Sequence, residues 1–367
     1  MTNRVKELFR ASALLALVAI AAGCQETTGP GSLSKLNAAA ALADYQAMDA
    51  VLQSSGYRNF QMTASKMDAA KFGSAASVAI RAGEAMLALK GSADTRAFAL
   101  AMANIANEIP QSAARVPLIS GTNRGKTFVY NAQLHNWQID PARTGAPSNG
   151  VRFITYEPKG AEPDPTKPTG HADLIDLGDA SAGVALRLVV VEGSLTVLDY
   201  RTTVEGNDGG GHVTVDGFLQ NSRDKLEFDI DVRGQKVGLV EKADIAVELG
   251  IASREFKVTG DVHVEKQNGT ERGTVDLTVK HGSASFRVHL VNEVTSLSGT
   301  VDLNGSLFSR VSGTPQQPVF KNPNGDPITG AEALVLYRIF DISEDVFDLF
   351  EDLVEPIGGL IIMAVIL

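Results

Sequence analysis

The sequence predicts an α+β fold, a large curved antiparallel β-meander of the open half-barrel type, covered by N-terminal helices and a C-terminal amphipathic helix. Three observations predict it. An Ala-rich stretch with apolar residues at spacings of three and four fills residues 33–118; at Gly125 the period changes to two and stays there to residue 314; and a loop, an amphipathic helix and an apolar tail occupy 315–367. A sheet of so many strands with one apolar face must curl, stack on a second sheet or be covered, and helices at both ends of the chain supply the cover.

The chain has 367 residues, 44% hydrophobic but only 6% aromatic, so its core must be built from Val, Leu, Ile and Ala. The net charge is −10, and no cluster of Lys and Arg offers a surface for phosphates, which argues against a nucleic-acid partner. A single Cys excludes an internal disulfide framework and a Cys-based metal site.

Residues 1–23 read as a targeting segment. Arg4, Lys6 and Arg10 form a basic start, and Ala11 to Ala22 is an apolar stretch too short to span a bilayer permanently. It ends in Ala21-Ala22-Gly23-Cys24, and a polar tether, residues 24–32, follows. This stretch resembles the lipobox of bacterial lipoprotein precursors, although Ala21 stands where that family prefers Leu. The resemblance implies that Cys24 is lipidated and becomes the mature N-terminus, so that the acyl chains tie the protein to a membrane. Gln25 in place of an Asp implies, by the same resemblance, the outer membrane of a two-membrane cell. Removing residues 1–23 takes away three basic residues and one acidic residue, leaving −12, a charge that does not seek anionic headgroups.

Within residues 33–118, helices are predicted near 34–54, 74–90 and 94–109, with stops at Gly56 and Gly91 and an N-cap at Asp94. Residues 57–72 are ambiguous, with room for a short helix. The sheet region, 119–314, opens with a hairpin through Phe128, Val129, Tyr130, Trp137 and Ile139, followed by strands over 151–156 and 172–177. Pro158, Pro163, Pro165 and Pro168 predict a loop between those two strands, since Pro cannot donate to a ladder. Ten strands are predicted between 183 and 312. Leu226, Phe228, Ile230 and Val232 point one way and Glu227, Asp229 and Asp231 the other, so one face is buried and one wet. Turns are expected at Glu192-Gly193, Arg233-Gly234, Asn268-Gly269, His281-Gly282 and Asn304-Gly305. Residues 184–191 are nearly continuously apolar, which predicts cover on both faces.

In the last region, Thr329-Gly330-Ala331-Glu332 fits a capping box opening a helix that ends near Pro356. Leu336, Ile339, Phe340, Val346, Phe347, Phe350 and Leu353 form its apolar stripe. The final eleven residues, 357–367, are apolar but too short to span a bilayer as a helix.

No nucleophile elbow, P-loop, dinucleotide fingerprint, zinc-protease helix or EF-hand loop is present, and no enzyme is expected. Asp261, His263 and Glu265 share one strand face at a spacing that could hold a metal, but alternation places polar residues there in any case, and no metal or other cofactor is expected. Trp137 near Asn131 and His135 could form a sugar platform, with core packing the better expectation. The half-barrel arrangement resembles, at the level of fold alone, the periplasmic lipoprotein carriers, their outer-membrane receptor and related lipid-transfer lipoproteins. Two functions are expected from these features: a lipid-anchored module holding a hydrophobic ligand in the concave face, or a structural or protein-interaction lipoprotein whose core is fully packed.

Overall fold

In a computed structural model, the structure describes residues 38–65, 119, 121–178, 183–207, 210–268, 270–314 and 317–330, with 332, 333 and 336. Cys24, the targeting segment and tether, the predicted helices at 74–90 and 94–109, and the C-terminal stripe and tail beyond Leu336 lie outside these residues.

Fifteen strands form one sheet, and their order in space follows their order in sequence except at one edge. They are β1 (Lys126–Asn131), β2 (Asn136–Ile139), β3 (Gly150–Lys159), β4 (Glu162–Asp176), β5 (Gly183–Glu192), β6 (Leu195–Asn207), β7 (Gly210–Gln220) and β8 (Lys225–Val237). The rest are β9 (Val240–Ile251), β10 (Phe256–Gln267), β11 (Thr270–His281), β12 (Ala284–Glu293), β13 (Leu297–Leu303), β14 (Ser306–Thr314) and β15 (Gln317–Lys321). From β3 to β15 every neighbouring pair is antiparallel. The ten expected strands between 183 and 312 are β5 to β14. One pairing departs from the meander: β1 lies between β2 and β3 and runs parallel to β3, so the connection after β2 crosses back before β3 begins.

Alternation sets the two faces as the sequence predicts. One cross-strand row runs Tyr200, Gly217, Phe228, Leu249, Val258, Val279, Phe286, Leu303 on the inner face. These side chains and their neighbours from β1 to β14 belong to one continuous core. The opposite face carries cross-strand ion pairs instead, among them Arg187–Asp199 at 2.6 Å, Lys257–Glu248 at 2.5 Å and Arg287–Asp276 at 2.6 Å. Gly217 sits where a Cβ would come within 2.3 Å of the Asp199 carbonyl oxygen, and Tyr200 and Phe228, on the strands either side, place their ring centroids 6.2 Å apart.

Two helices are described, α1 (Ala38–Leu52) and α2 (Ser55–Ser65). Gly56 does not stop a helix: α1 ends just before it, and Gly56 lies in the first turn of α2. Its lack of a side chain serves packing, because a Cβ there would meet Val197 Cγ2 at 2.7 Å. Among the described residues, no helix is long and apolar enough to cross a membrane.

Three further expectations are corrected. The Pro-rich segment is a ladder: Pro158 pairs with Pro163 and Tyr156 with Pro168, with register shifts on either side of Tyr156. This hairpin extends past its neighbours, since β5 meets β4 only from Gly170 onward and β1 meets β3 only up to Phe153. Each strand of the arm is therefore an edge, where Pro is tolerated. Arg233-Gly234 lies inside β8, and the turn falls at Gly238, with φ +63°. In β5 the second face is covered only in part: Ala185 is buried and Val189 and Val191 are half-buried, but Arg187 is exposed. The turns at Gly193, Asn268, Gly282 and Asn304-Gly305 do carry positive φ, as their residues require. The capping box is also formed, the Thr329 amide donating to Glu332 Oε2 at 2.7 Å and the Glu332 amide to Thr329 Oγ1 at 3.3 Å.

Candidate functional site

The inner face is the candidate site, and its two ends differ. In a meander alternate turns share one end, so the turns after β5, β7, β9 and β11 lie together. All four hold the helices. Glu192, at the end of β5, accepts hydrogen bonds from Ser55 Oγ and Asn59 Nδ2 of α2, both at 3.1 Å. Asn221, after β7, donates to the carbonyl of Ala50 at 3.2 Å. Arg254, after β9, and His281, at the end of β11, both face Asp44 of α1: Arg254 Nη1 stands 3.8 Å from it and His281 Nδ1 makes an ion-pair contact. Arg254 also grips Asp224 with two hydrogen bonds, at 2.8 and 3.2 Å.

Asp44 is only 2% exposed, an uncommon place for a carboxylate. Burial pushes its pKa up, and Asp224 adds to the push, while His281 and Arg254 pull against both. Beneath these polar contacts Ala47, Met48, Val51, Leu52, Tyr57 and Phe60 join the sheet core. α2 packs on β3 to β6 and α1 on β7 and β8. Burying these residues supplies most of the attraction, at roughly 25 cal/mol per Å² of apolar surface, and the polar contacts fix where the helices sit.

The far end, where β8 turns into β9, β10 into β11 and β12 into β13, is different. Over β9 and β10 the inner face is buried at Ala243 and Val264, toward this end, with Val247 in the middle of β9 partly buried. Over β11 to β13 it opens: Val275 in mid-strand, and Leu290 and Leu297 toward the turn, are only partly buried. Leu290 pairs with Val275 on one side and Gly299 on the other, so these residues form one apolar strip. Next to it the Oδ1 of Asn292 is buried without a hydrogen-bond partner among the described residues. The turns at this end carry the most exposed large apolar side chains described: Leu239 at 78%, Val237 at 63% and Val294 at 62%.

The residues singled out in the sequence are dispersed. Cys24 lies outside the described residues. Asp261, His263 and Glu265 do not converge on one point. His263 Nδ1 contacts Asp244 at 2.5 Å and Glu265 pairs with Lys242 at 3.2 Å, each reaching across to β9. Among the described residues no group of three His, Cys, Asp or Glu is placed to hold a metal. Trp137 is packed by aromatic rings, with its centroid 5.5 Å from that of Tyr130 and 5.4 Å from that of Phe153, both edge-on. Asn131 is occupied with its own turn, its Oδ1 accepting from the amides of Gln133 and Leu134. His135 lies 3.6 Å from Glu162, which is held by the Tyr130 hydroxyl; burial and this carboxylate raise Tyr130 to about 12.

Sequence reasoning missed Asp44 because a single acidic residue among Ala and Leu reads as part of a wet helix face. Only the distant partners Arg254 and His281 give it a buried place. No protein-family model, no curated protein and no solved structure matches the chain.

Proposed function

We propose that the chain is a lipid-anchored protein of the cell envelope that binds a lipid or other hydrophobic ligand on the inner face of its sheet, without catalysing a reaction. In this reading Cys24 carries the acyl chains, the outer membrane of a two-membrane cell is the address, and the helices from both ends of the chain cover an open half-barrel. The observation that carries it is the polarity of the inner face: pinned under helices at one end, and open through Val275, Leu290 and Leu297 at the other. An apolar strip leading into a continuous aliphatic face fits an acyl chain better than a polar substrate.

A second reading has its own observation. Val258, Val264, Val301 and Leu303 are completely buried by the chain itself, as in a packed core rather than an empty pocket. This favours a structural or interaction lipoprotein with no ligand. Lipid extraction and native mass spectrometry of protein purified from its own membrane separate the two. Ligand binding predicts a stoichiometric co-purifying lipid. Its absence, together with an experimental structure lacking any cavity above about 300 Å³, rules ligand binding out.

A further inference from the structure

We propose that the far-end rim, formed by Val237, Leu239 and Val294, docks on the surface of a zwitterionic lipid bilayer. The inference deepens the hydrophobic-ligand reading and rests on it, because it places the open strip of the inner face against the source of its ligand.

Hairpin tips in water are normally polar, and the tip between β10 and β11, at Asn268, follows that rule. The tip between β8 and β9 does not: Val237-Gly238-Leu239-Val240 turns through a glycine with φ +63° and presents Val237 and Leu239 outward at 63% and 78% exposure. The turn between β12 and β13 presents Val294 at 62%. The register sets the heights of the tips. Val240 pairs with Gln267 and Gln267 with Thr270, so the first two tips are level; Arg272, two residues down β11, pairs with Glu293, setting the third lower by about 7 Å. Four strand spacings separate the outer two tips, about 19 Å. Three aliphatic side chains over that width match a shallow interfacial contact rather than a deep pocket.

The charges under the tips argue for neutral headgroups. Glu241 pairs with Lys266 at 3.9 Å, Lys242 with Glu265 at 3.2 Å and Arg272 with Glu293 at 3.7 Å. The rim is thus compensated pair by pair. Among the described side chains it offers no basic patch to anionic lipid or to an acidic protein, and no acidic patch to a basic one. The opposite end, by contrast, engages its charges with α1 and α2.

The test uses the full chain as purified from its membrane, reconstituted into phosphatidylcholine vesicles with and without brominated acyl chains, and reads tryptophan emission. Leu239→Trp adds a probe at the rim, and Arg223→Trp adds one at the helix end. The proposal expects Leu239→Trp to lose most of its added emission to the brominated lipid, while Arg223→Trp does not. A double substitution, Val237→Asp with Val294→Asp, should restore the emission of Leu239→Trp. Equal quenching at both probes, or none at residue 239, overturns the proposal. So does protection of residue 239 that depends on protein concentration and not on vesicles, which would mark the rim as a contact between copies. Rim quenching without a co-purifying lipid leaves docking standing and removes only the ligand; a co-purifying lipid without rim quenching does the reverse.

Discussion

The two ends of the sheet use the same strands for opposite purposes. At the helix end the turns carry Glu192, Asn221, Arg254 and His281, and each reaches a helix; at the far end they carry Val237, Leu239 and Val294, which reach solvent. The inner face is apolar along the strands at both ends, but it is held under helices at one and only partly buried at Val275, Leu290 and Leu297 toward the other. Stability and accessibility are thus separated along one β-meander.

The largest predicted effect breaks the helix end. Phe60, fully buried between α2 and the sheet, should cost about 3–5 kcal/mol when replaced by Ala, read as a drop in denaturant midpoint. His281→Ala leaves Asp44 with Arg254 at 3.8 Å as its remaining charge partner and should cost about 2 kcal/mol, less than for a fully buried pair because His281 is partly exposed. Gly56→Val should cost about 1–3 kcal/mol by driving α2 away from Val197. At the far end Leu239→Asp should change stability by less than about 0.5 kcal/mol, since the residue is exposed. A loss there as large as that of His281→Ala would erase the contrast.

Titration sharpens the same contrast. The folded pKa of Asp44 is raised, so its contribution to stability is fully present below its unfolded value near 3.8 and is lost as pH rises through the folded value. Asp276, on the wet face, goes the other way. Burial works against its ionised form, but hydrogen bonds from Arg287 and His289, with their charges, outweigh it and lower the pKa. Its contribution is present above about pH 3.8 and lost as pH falls through the folded value. Asp44→Asn should therefore flatten the stability profile on the side above pH 3.8, and Asp276→Asn below it, as measured by unfolding at a series of pH values. A small effect of the opposite sign concerns Asp229, which faces Asp216 and Glu248 across the ladder and has its pKa raised by burial and by these carboxylates. Asp229→Asn should stabilise the protein by about 0.2–1 kcal/mol near neutral pH.

Much of the sheet was legible in the sequence because period two and positive-φ turns act locally. Leu226 to Val232 and the turn at Asn304-Gly305 needed no distant partner to be read. Long-range choices were not legible. Proline is excluded from the middle of a sheet, but nothing local reveals that Pro158 and Pro163 lie on an arm whose strands are both edges. Gly56 carries a helix-stop signal, whereas its use depends on Val197, far away in the chain. The same holds for the site. An apolar inner face followed from alternation, but which end is pinned and which is open depends on contacts such as Asp44 with His281, which no spacing announces.

In the proposed function a hydrophobic ligand enters the inner face through its open end. The most direct measurement is photo-crosslinking of the membrane-purified protein with a fatty acid carrying a diazirine in its chain, with labelled peptides located by mass spectrometry. Label is expected on β11 to β13, around Val275, Leu290 and Leu297, and is competed away by unlabelled fatty acid. Label confined to the wet face or to the helix-end turns, or label that excess fatty acid does not displace, would contradict it.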